Sequence, residues 1–295
     1  MNIYKTTLLL SYICIASFSA AIVTPALPQI GSFFHITSSS LSWVVSIFLV
    51  GYVIGQLIYG PIANRFGSLN ALRSGLVINL IGIIICLIGI ESSMYMVILA
   101  GRFITALGAA SGLACTFMLM HDLLNENEYK HAMPYTTLSF TLGIGLAVLM
   151  GGLVSEYLNW TDCFWILLIH GVVMVVSTLC FPNKNKKLCE LNLLSILKNY
   201  GRALMNARLI VFSLVVGLMS SFSYVYSAIA PLYANHYLHQ TSSEYGYWNL
   251  INMAGMLIGG LLGARIMKFY GPHKLLAAGL IGFIPGCLSF TVNLL

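Results

Sequence analysis

The stretch "GPIANRFG", Gly60 to Gly67, ends a long run without charged side chains. From Thr6 to Asn64 the chain contains no Asp, Glu, Lys or Arg, and Arg65 then appears just before the second glycine. Glycine permits the backbone conformations that tight turns require. A similar pattern recurs downstream, since Gly67 to Leu76 ("GSLNALRSGL") resembles Gly271 to Leu280 ("GPHKLLAAGL"). The pattern predicts a glycine turn at the end of an apolar span, in a chain built from two related halves.

Composition indicates a membrane protein. Hydrophobic residues make up 59% of the 295 residues and charged residues only 7%, whereas a soluble domain carries roughly 25% charged residues. The cysteines number seven, form no CxxC or Cys/His pattern, and mostly lie in apolar runs, which favours packing over disulfides or metal binding. We therefore expect no metal and no cofactor.

Nine apolar stretches are long enough to cross a bilayer, which needs about 20 residues per helix. Their approximate bounds are 6–28, 41–63, 74–91, 94–120, 131–156, 163–181, 207–233, 245–269 and 275–294. The break from Pro182 to Asn206 is longer than the others and contains "LNLLSILKNYGRALM", whose spacing predicts an amphipathic helix on the membrane surface.

The placement of basic residues predicts the orientation of these spans, because Lys and Arg favour cytoplasmic loops. The predicted outer loops hold no Lys or Arg. Thirteen of the fourteen basic residues fall on the other side: Lys5, Arg65, Arg73, Lys130, Lys184, Lys186, Lys187, Lys198, Arg202, Arg208, Arg265, Lys268 and Lys274. This predicts a plasma (inner) membrane protein with its N-terminus and the 182–206 loop in the cytoplasm. It also accounts for the net charge of +6 without nucleic acid as a partner.

The exception is Arg102, about nine residues into the fourth span. A buried arginine in a bilayer is costly and normally faces a cavity or a polar partner. Two interpretations are open: a functional residue facing the transport path, favoured because no acid lies at similar depth, or a structural residue bonded to backbone carbonyls of a neighbouring span.

Five segments carry a resemblance to a known family. They are "TPALPQI" (Thr24 to Ile30), "GQLIYGPIANRFG" (Gly55 to Gly67), "GRFITALGAASG" (Gly101 to Gly112), "HDLL" (His121 to Leu124) and "MGGLVSEYLNWTDCFWI" (Met150 to Ile166). In order and spacing the chain resembles the major facilitator superfamily, and within it the Bcr/CflA branch of drug-resistance antiporters. The resemblance implies proton-coupled efflux of small organic molecules by alternating access, through a cavity between two helical halves.

The expected fold is an all-α integral membrane bundle of the major-facilitator type. The predicted domains are an N-terminal six-helix half (1–181), a cytoplasmic linker with its amphipathic segment (182–206) and an incomplete C-terminal half of three helices (207–295). This gives three of the family's four three-helix units, and because Leu295 ends inside apolar sequence, the chain is interpreted as truncated.

The resemblance also implies a conformational-switch loop, formed by Gly60, Asn64, Arg65, Gly67 and Asp122. The family carries an Asp where this chain has Asn64, so the charge that a helix N-terminus rewards is absent at that position. The alternative interpretation is a positive-inside loop without a gating role.

For substrate and coupling, the resemblance points to the helices that line the family's cavity. The candidates are Arg102, His170, Tyr12, Ser17, Gln56, Tyr224, Tyr226, Asn249 and Asn252. The branch usually has an Asp where this chain has Ala21, and no carboxylate lies at the predicted midplane. His170 is therefore the candidate proton carrier, since imidazole titrates near neutral pH. Each aromatic candidate, and His170 itself, is also compatible with simple packing.

Two classes of function fit the sequence, and a third fits it poorly. The first is a drug/proton antiporter, with a small-molecule substrate, protons and the lipid bilayer as partners. The second is a transport-inactive remnant or membrane scaffold. An enzyme is not expected, because the sequence contains no GxSxG, HExxH or spaced His/carboxylate cluster. The number of subunits is left open.

The predicted orientation can be tested by cysteine labelling. Ser39→Cys and Ser93→Cys, in outer loops, are expected to react with a membrane-impermeant maleimide added to intact cells, because those loops face outward. Lys186→Cys should react only after permeabilisation, and the unsubstituted chain provides the baseline. The reverse pattern would contradict the orientation.

Overall fold

The computed structural model describes residues 3–182 and 193–266, together with positions 274, 277, 279, 281 and 282. These residues are helical, with no β-strand in the described part of the chain. The helices are α1 (Ile3–Ser11), α2 (Cys14–Ala21), α3 (Leu27–Phe34), α4 (Ser38–Leu41), α5 (Trp43–Phe66), α6 (Ser68–Glu91), α7 (Tyr95–Leu123), α8 (Glu126–Tyr157), α9 (Asp162–Ser177), α10 (Leu193–Leu204), α11 (Ala207–His236) and α12 (Ser242–Ile266). Two 3₁₀ turns lie at Thr24–Ala26 and Thr178–Cys180.

Seven helical stretches in the described residues are long and apolar enough to cross a membrane: Cys14–Phe34, Ser38–Phe66, Ser68–Glu91, Tyr95–Leu123, Glu126–Tyr157, Asp162–Cys180 and Ala207–His236. They correspond to the first seven predicted spans. The eighth prediction, 245–269, coincides with α12, a helix that is not among the seven. The ninth, 275–294, lies almost entirely outside the described residues, as do the Gly271 turn and residues 183–192 of the linker. Nine spans are thus not confirmed.

The first span is broken into short helices. Pro25 and Pro28 lack the N–H that an α-helix needs, and the chain passes from α2 through the 3₁₀ turn to α3. The Thr24 hydroxyl donates to the Ala21 carbonyl at 2.8 Å, which replaces the bond that Pro25 cannot make. This break exposes other carbonyls of α2 to a partner from a neighbouring helix.

Small residues let α6 and α7 pack in backbone contact. A Cβ atom added at Gly82 would collide with the backbone nitrogen of Thr105, and one at Gly108 with that of Asn79. Asn79 is 1% exposed and its amide donates to the Thr105 carbonyl at 2.9 Å. Close contact of this kind is how membrane helices associate without a hydrophobic driving force.

The glycine turn is shorter than predicted. Helix α5 continues through Gly60 to Phe66, so Gly60 is not part of the turn and the prediction for it was wrong. Pro61 does not end the helix, because it removes only one backbone bond. The connection to α6 is Gly67 alone, at φ 86°, a conformation that favours glycine.

Helix α12 packs along α8 through glycines. A Cβ at Gly145 would collide with Met253, and one at Gly152 with the Ser242 backbone. By contrast, Gly255, Gly259, Gly260 and Gly263 have no atom within 4 Å of the Cβ position. In the described residues, α12 therefore packs tightly at its N-terminal end and stands apart at its C-terminal end.

The glycine packing of α6 and α7 yields a stability prediction. Gly108→Val is expected to destabilise the protein by about 1–3 kcal/mol, because the branched side chain forces two backbones apart. The measurement is thermal unfolding of the purified protein in detergent. The control is Gly217→Val in α11, where the added Cβ meets nothing within 4 Å. Equal losses in both variants would contradict the packing argument.

Candidate functional site

Arg102 lies on α7, where its side chain is 1% exposed. Its guanidinium donates to three backbone carbonyls: Nη1 to Ser19 at 2.8 Å, Nε to Val44 at 3.4 Å and Nη2 to Ala20 at 3.5 Å. Its Cζ atom also lies 4.4 Å from the centroid of the Phe48 ring, a cation–π contact.

Two of these carbonyls belong to the last turn of α2, directly before the Pro25 break. The last carbonyls of any helix lack an in-helix donor, and in a bilayer no water replaces it. Arg102 supplies donors to Ser19 and Ala20 and joins α2 to α5 and α7. The structural interpretation of Arg102, bonding to a neighbouring span, describes its position in this conformation; a role in transport stays a prediction.

The other first-half candidates are also packed. Tyr12 is fully buried and its hydroxyl lies 2.7 Å from the Ser177 hydroxyl. Ser17 is 2% exposed and donates to the Cys14 carbonyl within its own helix at 3.0 Å. His170 is half-buried, with its ring 4.8 Å from that of Phe18. The structure does not bring these three side chains together.

Polar side chains of α5 and α11 lie near one another. Gln56 is half-buried on α5, and Tyr224 of α11 lies within electrostatic range of Tyr52. Tyr52 is 9% exposed, and its hydroxyl is buried without a hydrogen-bond partner, although the Gln56 side chain lies near it. Tyr52 was not among the candidates predicted from the sequence. Its spacing, four residues from both Phe48 and Gln56, places all three on one helix face.

The remaining candidates lie farther along the second half. Tyr226 is 44% exposed on α11, within electrostatic range of the buried Tyr245. On α12, the Asn252 amide is 3.5 Å from the Asn249 Oδ1 atom. Asn249 is buried whereas Asn252 is exposed.

The predicted switch loop is a helix junction. Asp122, at the end of α7, accepts a hydrogen bond from the Ser68 hydroxyl at 2.9 Å. Ser68 is the first residue of α6, so this carboxylate lies at a helix N-terminus, where negative charge is favoured. Asn64 is exposed and Arg65 is half-buried, 6.0 Å from the Phe66 ring. The sequence analysis named Asp122 but not its partner Ser68.

No metal site is present in the described part of the chain, where no three His, Cys, Asp or Glu side chains lie close enough to share an ion.

Comparison with known proteins identifies the family. The model of the Major Facilitator Superfamily matches residues 9–292. The chain belongs to the Major Facilitator Superfamily. This confirms the resemblance on which the sequence analysis relied, and members of the superfamily are membrane transporters.

Relatives within the superfamily include named efflux proteins. The chain is 29% identical over 182 residues to the MFS-type efflux pump MMF1 of Pseudozyma antarctica (strain T-34), covering 62% of this chain and 32% of the pump. It is 24% identical over 168 residues to multidrug resistance protein D of Escherichia coli (strain K12), covering 57% of this chain and 42% of that protein. The matches thus span less than half the length of these relatives.

Solved structures of the superfamily share the fold. A bacterial homologue of the human lysosomal transporter Spinster, in an inward-facing and unoccupied conformation, superposes with a TM-score of 0.69 at 15% identity. The superposition covers 92% of this chain and 64% of that one.

The Arg102 geometry yields a second stability prediction. Arg102→Ala is expected to lower the free energy of unfolding by about 1–3 kcal/mol, because it leaves buried carbonyls without donors. Arg102→Lys should be intermediate, since an ammonium cannot reproduce the planar fork. Thermal unfolding of the purified protein measures both. An Arg102→Ala protein as stable as wild type would show that the carbonyls find other donors.

Proposed function

We propose that the protein exports small organic molecules by alternating access, coupled to protons. We further propose that it lies in the plasma (inner) membrane, with its N-terminus and the 182–206 loop on the cytoplasmic side. The observation that carries the proposal is the one-sided contact between the first six spans and the helices α11 and α12.

At one end the two parts are joined. The Ser242 hydroxyl donates to the Pro25 carbonyl at 3.0 Å, and the Ser242 backbone N–H donates to Glu156 at 3.2 Å. Tyr245, one turn further along α12, is 6% exposed. The buried residues of α11, which are Ala228, Pro231 and Ala234, also lie in its last third.

At the other end the described parts of α11 and α12 stand apart from the first half. Leu214 and Leu218 of α11 are 62% and 63% exposed. This end carries Arg208 and Arg265, so the positive-inside rule assigns it to the cytoplasm. Contact at the outer end with a gap at the inner end is the arrangement of an inward-open state, one of the two that alternating access requires.

The side chains between α5 and α11 support one class of substrate, organic molecules that are flat or cationic. Tyr52, Gln56 and Tyr224 combine aromatic surface with few hydrogen-bonding atoms and no charge, which suits flat or cationic organic molecules. The names of the two relatives, an efflux pump and a multidrug resistance protein, agree with this class.

Proton coupling requires a group that titrates within the spans. His170 is the proposed carrier, because the predicted midplane has no carboxylate and because imidazole titrates near neutral pH. Its ring lies on Phe18 of α2, the helix whose last turn is held by Arg102. Protonation of His170 is thus placed to act on the broken first span.

A second candidate, a transport-inactive scaffold, is favoured by a different observation. The guanidinium of Arg102 is engaged with backbone carbonyls from both α2 and α5. An arginine used in this way stabilises the bundle whether or not anything is transported.

Dye accumulation separates the two candidates. Cells expressing the wild-type chain are expected to accumulate less ethidium than vector cells, and Arg102→Ala should return accumulation to the vector level. Val225→Ala, at a position 57% exposed on α11, should behave as wild type. His170→Ala should lose the dependence of efflux on the proton gradient. Equal dye accumulation in vector, wild-type and Arg102→Ala cells, at matched expression, would contradict the export function and favour the transport-inactive scaffold.

A further inference from the structure

One backbone carbonyl in α5 lacks its usual donor. In a regular α-helix the N–H of residue 61 would bond to the carbonyl of residue 57. Position 61 is proline, which has no N–H and whose ring crowds that same carbonyl. The Leu57 carbonyl therefore lacks its in-helix donor and needs a donor from outside α5.

That donor comes from the linker helix. The Tyr200 hydroxyl of α10 lies 2.6 Å from the Leu57 carbonyl oxygen and donates to it. Tyr200 is 143 residues away along the chain, so the bond joins the linker to the first half of the bundle.

Apolar packing of α10 on the bundle is slight. Leu197 and Leu204 of this helix remain 67% and 69% exposed. The placement of α10 against α5 therefore depends strongly on directed contacts, of which the Tyr200 bond is a short one.

We propose that Tyr200 is a positioning residue that fastens the linker helix to α5 through the carbonyl that Pro61 frees. Helix α5 ends at Phe66, directly before the Gly67 junction, so the hydrogen bond between Tyr200 and Leu57 lies about three turns from that junction. A change in the shape of α5 around Pro61 would alter whether the Leu57 carbonyl is available to Tyr200, so the position of the linker would follow the shape of α5. This inference goes beyond the proposed function, since it concerns how the linker follows α5 rather than what is transported.

The test is hydrogen–deuterium exchange of residues 193–204 in the full-length protein in lipid nanodiscs. Tyr200→Phe is expected to raise the exchange rate of α10 about two- to tenfold, the range for one lost hydrogen bond. Pro61→Ala leaves Tyr200 in place but restores the N–H to α5 and returns the Leu57 carbonyl to the ladder. It should raise exchange by a similar factor.

The double variant shows whether the two substitutions act through the same hydrogen bond. Tyr200→Phe combined with Pro61→Ala should exchange no faster than either single variant, because both remove the same bond. Pro231→Ala is the matched control, since it removes an in-helix proline near the C-terminal end of α11. It should leave α10 unchanged.

Wild-type exchange in either Tyr200→Phe or Pro61→Ala would overturn the proposal, as would additive effects in the double variant. The readout involves no transported molecule, so its failure is distinguishable from a failure of the proposed export activity.

Discussion

A backbone carbonyl inside a bilayer cannot turn to water for a hydrogen bond, and this constraint explains the contacts made near two prolines of the described chain, Pro25 and Pro61. The break at Pro25 is accompanied by Arg102, which reaches across from α7 to the last carbonyls of α2. Pro61 leaves the Leu57 carbonyl without its in-helix donor, and the hydroxyl of Tyr200 from the linker donates to that carbonyl instead. In both places the donor comes from a distant segment. At these two places, unpaired carbonyls thereby become the acceptors of bonds between helices.

The consequence for transport concerns Arg102. Three of its five N–H groups are directed at backbone carbonyls of α2 and α5. Under the proposed transport function, a substrate that displaced one of these bonds would also change the contacts of the broken first span. The glycine contacts between α6 and α7, by contrast, hold these two helices rigidly together, because backbones in direct contact move together.

Sequence reasoning located the helices better than their ends. The predicted spans 74–91 and 94–120 correspond to Ser68–Glu91 and Tyr95–Leu123, because apolar length is a local property of the chain. The fifth span begins earlier than predicted, at Glu126, where Asn125 and Glu128 form a capping box in polar sequence. Hydropathy alone does not predict a helix that begins in polar sequence.

The same distinction between local and long-range information applies to the candidate site. The apolar runs and the spacing of the motifs determined by themselves that the chain is a helical bundle of the Major Facilitator Superfamily with a buried arginine. Only the tertiary structure decided which carbonyls Arg102 reaches, that Tyr52 joins Gln56 and Tyr224, and that α12 touches the first half at one end. The physical reason is range: hydropathy and charge act along the chain, whereas hydrogen-bond partners are chosen across it by the packed geometry of the helices.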